Sequence, residues 1–195
     1  MKRIFDIIFS LLVLSLFLPF GIVIALLIVL SDGLPIFYKQ ERVGQHGVIF
    51  KLLKFRSMKN NAEKFGQLTV GMQDPRITKV GVFIRKFKLD EFPQFINVLR
   101  GEMSIVGPRP EVKTYTDLYT TEQKEILKVK PGITDYASIA YFDENALLAE
   151  SENPKQTYIE EIMPAKLALN KKYIADPTLK HDLKIIWLTI KRIFK

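Results

Sequence analysis

The sequence predicts an α+β fold that is mostly helical. Its parts are an N-terminal re-entrant membrane helix, a small β-hairpin, and a helical domain with interfacial amphipathic helices. Three observations lead there. Residues 7–30 form an uncharged, almost wholly apolar run. Residues 36–58 alternate apolar and polar side chains around Gly44 and Gly47, the pattern of paired strands. Much of the remainder spaces its apolar residues helically, between caps, glycines and prolines. Two units follow: a membrane helix over 1–34 and a membrane-associated domain over 35–195.

As a straight helix the apolar run would be about 36 Å long, enough to cross a hydrocarbon core of about 30 Å. Pro19, followed by Gly21, favours a kink in its middle. Lys2 and Arg3 precede the run, and Lys39, Arg42, Lys51 and Lys54 follow it. Cytoplasmic flanks are normally the basic ones, and here both are basic. A helix that bends at Pro19 and returns to the same face satisfies both flanks, whereas a simple span satisfies one. A signal peptide is the third reading. It lacks a small-residue cleavage site, because Ser31-Asp32-Gly33-Leu34-Pro35 comes next.

The hairpin is expected to pair 36–40 with 48–53, and 60–75 reads as a polar loop. Thr78 is placed to cap a helix whose apolar face is Val80, Phe83, Ile84 and Phe87. Pro93 is tolerated only in a first turn, which predicts a helix over 91–99 stopped by Gly101. Gly107, Pro108 and Pro110 make 103–111 turn-rich. Thr120 and Gln123 form a capping box for 122–129, and Pro131-Gly132 reads as a turn. The acidic stretch 146–154 reads as a loop. Pro164 opens a helix ending near Asp176-Pro177. Residues 179–195 mix Leu183, Ile186, Trp187, Ile190 and Ile193 with lysines and Arg192, as interfacial helices do.

The chain has 195 residues and a formal net charge of +8. That excess suits an anionic membrane surface, a phosphorylated substrate or nucleic acid. No cysteine is present, which excludes disulfides and thiolate metal sites. His46 and His181 are the only histidines, so neither a histidine zinc site nor a Ser-His-Asp triad is expected. A metal here would be a hard cation on carboxylates, with magnesium the default beside phosphates.

Asp90-Glu91 is the most informative pair. It follows the basic amphipathic stretch Ile84-Arg85-Lys86-Phe87-Lys88-Leu89, and the basic segment 100–109 comes soon after. Acidic residues at a helix start are common capping devices. With arginines on both sides they also suit phosphate chemistry. One carboxylate can attack phosphorus and form an acyl phosphate. The other can hold magnesium or handle a proton. In Gly107-Pro108-Arg109-Pro110 the prolines stiffen the backbone around a guanidinium suited to bidentate phosphate contact. Lys54-Phe55-Arg56 puts two cations on one face of a strand, for phosphate binding or as a charged edge guard. Asp143, Glu144, Glu150 and Glu152 read as a solvated cluster rather than a metal site.

Taken in order, these motifs resemble the bacterial sugar transferase family, the monotopic phosphoglycosyl transferases. The resemblance runs from Lys2-Arg3-Ile4-Phe5-Asp6 through the Pro19-interrupted helix to Phe37-Tyr38-Lys39-Gln40-Glu41-Arg42-Val43-Gly44, Phe50-Lys51 and Lys54-Phe55-Arg56-Ser57-Met58. It continues in Asp74-Pro75-Arg76-Ile77-Thr78-Lys79-Val80-Gly81 and Ile84-Arg85. Its core is Leu89-Asp90-Glu91-Phe92-Pro93-Gln94 with Asn97-Val98-Leu99-Arg100-Gly101-Glu102-Met103-Ser104-Ile105-Val106-Gly107-Pro108-Arg109-Pro110, and Lys130-Pro131-Gly132-Ile133-Thr134 closes it. No single piece is specific, but the combined string is.

The resemblance implies a catalytic domain that moves a sugar 1-phosphate from a nucleotide-sugar donor, with UDP expected, to polyprenyl (undecaprenyl) phosphate. It implies an Asp-Glu dyad with Mg2+, so that Asp90 is the nucleophile, Glu91 its partner and both are metal ligands. Arg85 and Arg109 match phosphate-binding arginines. It also implies a re-entrant helix and a place at the cytoplasmic face of the bacterial inner membrane. The other expected partners are membrane lipid and downstream glycosyltransferases, with no nucleic acid. The chain looks like the minimal catalytic core of the family. It departs from the common pattern at Leu18 before the proline, at Lys88 before Leu-Asp-Glu, and at Asp135-Tyr136-Ala137-Ser138. The competing reading is a non-catalytic membrane-surface adaptor that binds anionic lipid or a partner enzyme. It gives no reason for Asp90-Glu91 beside a stiffened Arg109.

Overall fold

The computed structural model describes residues 1–62, 71 and 74–193. Most of the polar stretch expected over 60–75 lies outside them. The architecture is α+β and mostly helical, as the sequence predicts. α1 (Lys2–Asp32) is a single long helix with Pro19 inside it. The hairpin is β1 (Phe37–Val43) with β2 (Ile49–Phe55), antiparallel, pairing Phe37 with Phe55 and Val43 with Ile49. It is longer than the alternation suggested, and Lys54 falls inside it.

α1 packs on the domain along its whole length. At its start the Arg3 guanidinium donates to Val98 O (2.5 Å) and Leu99 O (2.9 Å). Those are C-terminal carbonyls of α3 (Gln94–Arg100). Val98 O also accepts from the Gly101 amide (2.9 Å), and the last turn of a helix leaves such acceptors open to further donors. Asp6 is buried and accepts from Ser104 Oγ and the Ile105 amide. In the middle, Phe17 stacks on Phe92 with ring centroids 3.7 Å apart. Near its end Ile24 and Ile28 join a core with Phe55 and Ile84. The other faces of α1, including Leu12, Leu16, Phe20 and Leu27, remain exposed.

α2 (Lys79–Lys86) begins as expected, with Thr78 Oγ1 accepting from the Gly81 amide at 3.0 Å. Its predicted apolar stripe is split. Ile84 is fully buried, but Phe83 and Phe87 are exposed and pack edge to face on each other. Leu89–Glu91 is a 3-10 turn, and α3 starts only at Gln94 with Pro93 as its N-cap. The dyad therefore precedes the helix rather than occupying its first turn. A tight turn holds Asp90 and Glu91, and the helix dipole bears on them less than expected. Gly101, at φ 84°, ends α3.

β3 (Ser104–Val106) pairs in parallel with β4 (Gly132–Thr134). The Pro131-Gly132 turn is thus corrected: Gly132 enters a strand. It is glycine because a Cβ there would lie 2.1 Å from the Gly107 amide nitrogen. Next come α4 (Lys113–Thr116), a 3-10 segment (Gln123–Lys128) closed by the expected Thr120–Gln123 box, and α5 (Tyr136–Ala140). The predicted acidic loop over 146–154 is partly helix, as α6 (Glu144–Ala149) and the start of α7 (Pro154–Thr157). Pro164 lies in the first turn of a helix that ends beside Asp176-Pro177, as expected, but that helix is not a separate one. α7 runs through a π segment (Tyr158–Ile162) into α8 (Met163–Ala175), which Pro164 occupies near its start. A wide turn is one way to absorb a residue that lacks an amide donor. α9 (Leu179–Ile193) is amphipathic, with Ile185 buried and Trp187 exposed. Asp182 on α9 is buried against Lys2 Nζ (2.6 Å) and Tyr173 (2.6 Å). This pins α9 to the start of α1.

Candidate active site

A cavity of about 540 Å³, in the range of small-molecule sites, opens between α1, α3, the β3–β4 pair, α5 and α9. Lys54, Arg85, Asp90, Glu91 and Arg109 all line it. Three local devices gather them. Asn97 on α3 is fully buried and fastens β2: its Oδ1 accepts from the Leu53 amide (3.0 Å) and its Nδ2 donates to Lys51 O (2.9 Å). This sets Lys54 beside the turn that carries the dyad. The β3–β4 pairing holds the Gly107–Pro110 loop. Asp135 then accepts from the Arg109 amide (3.0 Å) and, as N-cap of α5, from the Ser138 amide (2.5 Å). The departure at Asp135 is therefore a backbone clamp on Arg109.

Glu91 is held by two cations. Arg109 donates to both of its carboxylate oxygens, and Lys54 Nζ lies 3.2 Å from Oε1. Burial opposes its charge, but Arg109 and Lys54 overcome burial and hold the carboxyl well below the usual range. It is poorly suited to carry a proton near neutral pH. Arg109 is driven up chiefly by Glu91, while burial lowers Lys54 in spite of Glu91. Arg109 is thus the permanent charge of the pair.

Asp90 is the opposite case. It is 5% exposed, and its carboxylate has no hydrogen-bond partner among the described residues. Burial raises its pKa, Lys54 opposes, and Glu91 raises it further. Adjacent carboxylates with acidities pushed apart mark a division of roles.

Arg56 does not join the site. Its guanidinium donates to Gly33 O (2.6 Å) and Asn60 Oδ1 (3.0 Å), so it caps the end of α1. The alternation that paired it with Lys54 stops where β2 ends. Several cavity residues were not singled out as site candidates in the sequence. Arg42 reaches Pro110 O (3.0 Å) and Glu111 (3.5 Å). Tyr158 donates to Glu111, and Lys166 pairs with Glu144 at 2.7 Å. Glu144 thus belongs to the cavity wall rather than to a solvated loop. These residues are scattered from 42 to 166, and no local signal joins them.

Among the described residues no group of three or more His, Cys, Asp or Glu side chains is disposed to hold a metal. The donor set still fits magnesium of the substrate-bound kind, which takes one or two carboxylates and completes its shell with phosphates and water. Asp90 would be the first such ligand, and Glu91 would have to share its carboxylate with Arg109 and Lys54.

A model of the family described as bacterial sugar transferase matches residues 1–195. The chain belongs to that family. It is 39% identical over 199 residues to the UDP-glucose:undecaprenyl-phosphate glucose-1-phosphate transferase of Escherichia coli (strain K12), across 100% of this chain and 40% of the relative. A UDP-N-acetylgalactosamine-undecaprenyl-phosphate N-acetylgalactosaminephosphotransferase of Aeromonas hydrophila is 34% identical over 195 residues, 98% of this chain and 43% of the relative. The exopolysaccharide production protein ExoY of Sinorhizobium fredii is 33% identical over 207 residues, covering 98% and 84%. The chain thus spans less than half the length of the first two and most of the third. The family is one of enzymes, which sets the adaptor reading aside.

Proposed function

We propose that this sugar transferase moves a sugar 1-phosphate from a UDP-sugar to undecaprenyl phosphate through a covalent phosphosugar on Asp90. The observation that carries this is the state of Asp90: a buried carboxylate with no hydrogen-bond partner among the described residues, in a cavity lined by Arg42, Lys54, Arg85 and Arg109. Hydrogen bonds would blunt such a nucleophile, and cations around it favour an anionic electrophile.

In the first step an Asp90 oxygen attacks the phosphorus that bears the sugar. The phosphoanhydride bond to UMP breaks, and UMP leaves with its electron pair. Glu91 keeps Arg109 and Lys54 aimed at the phosphates, a positioning role suited to a carboxylate that stays ionised. In the second step an acceptor phosphate oxygen attacks the same phosphorus. The acyl phosphate bond breaks, Asp90 returns as carboxylate, and a polyprenyl diphosphate sugar is formed for downstream glycosyltransferases. Magnesium, held by Asp90 with Glu91 in reserve, would neutralise charge on the diphosphate.

The same reading makes α1 re-entrant, with the domain on the cytoplasmic face. Its support is that both ends and the middle of α1 pack on one body while its other faces stay apolar and bare.

The test is to present the purified protein with a panel of UDP-sugars and undecaprenyl phosphate and assay UMP. One sugar should give turnover that EDTA abolishes and magnesium restores. Donor alone should add a phosphosugar mass on Asp90. An adduct on another residue, or no UMP from any donor, would overturn the reading.

A further inference from the structure

The cavity has two chemically different ends. One carries Asp90, Glu91 and Arg109, with Arg42, Glu111 and Lys166 beyond them. The other is apolar: Phe9 and Val13 come from α1, Phe95 from α3, and Ile186, Ile190 and Ile193 from α9. The spacings 9/13 and 186/190/193 each define one helical face, so two helices turn apolar rows toward the same space. Ile190 remains 42% exposed. Apolar surface left uncovered is costly, at about 25 cal/mol per Å².

We infer that this apolar end is the groove for the isoprenoid tail of the acceptor, with α1 and α9 as its walls. The inference rests on the proposed transfer to a polyprenyl phosphate. Three features favour that occupant. The groove is continuous with the site of Asp90, so a phosphate held there by Arg85 and Lys54 trails its chain past Phe95. The walls are preorganised: Lys2 and Asp182 join the two helices, and the Thr189 and Thr134 hydroxyls lie 2.6 Å apart, fixing α9 to β4. The same helices present bare apolar surface outside, at Leu12 and Leu16 on α1 and at Leu183 and Trp187 on α9. A chain leaving the groove can pass directly into hydrocarbon. The polar end is left for the nucleotide sugar, so donor and acceptor approach Asp90 from opposite sides.

The two half-reactions separate this inference from the reading beneath it. Val13→Phe and Ile190→Phe narrow the groove from opposite walls. Full-length variants in lipid nanodiscs are assayed for the donor-only UMP burst, then for transfer to geranyl phosphate and to undecaprenyl phosphate. The expected result is an unchanged burst and an unchanged KM for geranyl phosphate. The KM for undecaprenyl phosphate should rise roughly ten-fold, about the worth of two methylenes driven from contact. If both acceptors behave as with wild type, the tail lies elsewhere and the groove belongs to bulk lipid. If the burst falls as much as transfer does, these side chains shape the catalytic site and the groove assignment fails. A wild-type protein without a burst would instead remove the covalent mechanism itself.

Discussion

Asp90 and Glu91 are neighbours whose surroundings push their acidities in opposite directions, and stability should show it. Asp90 has a raised pKa in the folded protein, so its ionised form is disfavoured by folding. The cost is fully present above that raised value and fades as pH falls toward the ordinary 3.8. Asp90→Asn should therefore melt higher than wild type at neutral pH in metal-free buffer. The gain should shrink in acid, while activity drops by several powers of ten if the proposed covalent route is the one removed. Glu91 has a lowered pKa. Its stabilisation is present above the unfolded value and is lost as pH falls through the folded one. Glu91→Gln leaves two partly buried cations unpaired and should destabilise, by about 1–3 kcal/mol, the cost of removing one hydrogen-bonded partner. Melting curves of both variants across pH check this, and equal shifts in the same direction would refute the division of roles. Arg109→Lys keeps the charge but loses the two-pronged contact with Glu91. A charge-assisted hydrogen bond is worth about 1.5–3 kcal/mol, so donor turnover should fall at least about ten-fold. Wild-type kinetics in that variant would leave Arg109 as a structural partner of Glu91 with no part in donor turnover.

At the scale of elements, what is local was legible and what is distant was not. Thr78, the Thr120–Gln123 box and Gly101 work through neighbours three or four positions away, and each does what its sequence context predicts. The Lys54–Glu91–Arg109 cluster could be proposed residue by residue, but its internal pairing could not. Nothing local marks Arg56 as a cap on α1. The β3–β4 pair escaped notice because each strand is three residues long and 25 residues separate the intervals' ends (107–131), too little pattern to register. Gly132 now marks that pair. Gly132→Ala would place its Cβ 2.1 Å from the Gly107 amide nitrogen, against backbone that cannot rotate aside. Overpacking of this kind costs about 1–3 kcal/mol. Because β4 leads into Asp135 and β3 into Arg109, the clamp on Glu91 should loosen as well. Thermal melting and donor turnover should both decline, and a variant equal to wild type in both would dissolve the link from strand to site.

For the molecule as a whole, the question is how a helix of membrane length serves a site proposed to meet a water-soluble donor. A straight helix of α1's length would reach about 46 Å, beyond a hydrocarbon core of about 30 Å. Were α1 to cross, the ends that bear Arg3 and Gly33 would face opposite compartments. Yet Arg3 is bound to α3, and the Gly33 carbonyl is bound by Arg56 of the same body. One polar domain cannot lie on both sides of a bilayer, and this packing supports the proposed path in which α1 enters and leaves through one leaflet. Lys2 is committed to Asp182, which makes it a poor labelling site. A cysteine-bearing extension ahead of Met1 and a cysteine at exposed Lys39 serve instead. In intact cells a membrane-impermeant maleimide should leave both unlabelled, and in inverted membranes it should label both. Labelling of the N-terminal cysteine in intact cells would show a span. It would also require Lys2 and Arg3 to abandon their partners, so such a protein should lose stability along with its topology. Pro19→Ala is the complementary change. By restoring the missing donor it should favour the straight helix, and the fraction of N-termini labelled from outside should rise as transfer activity falls.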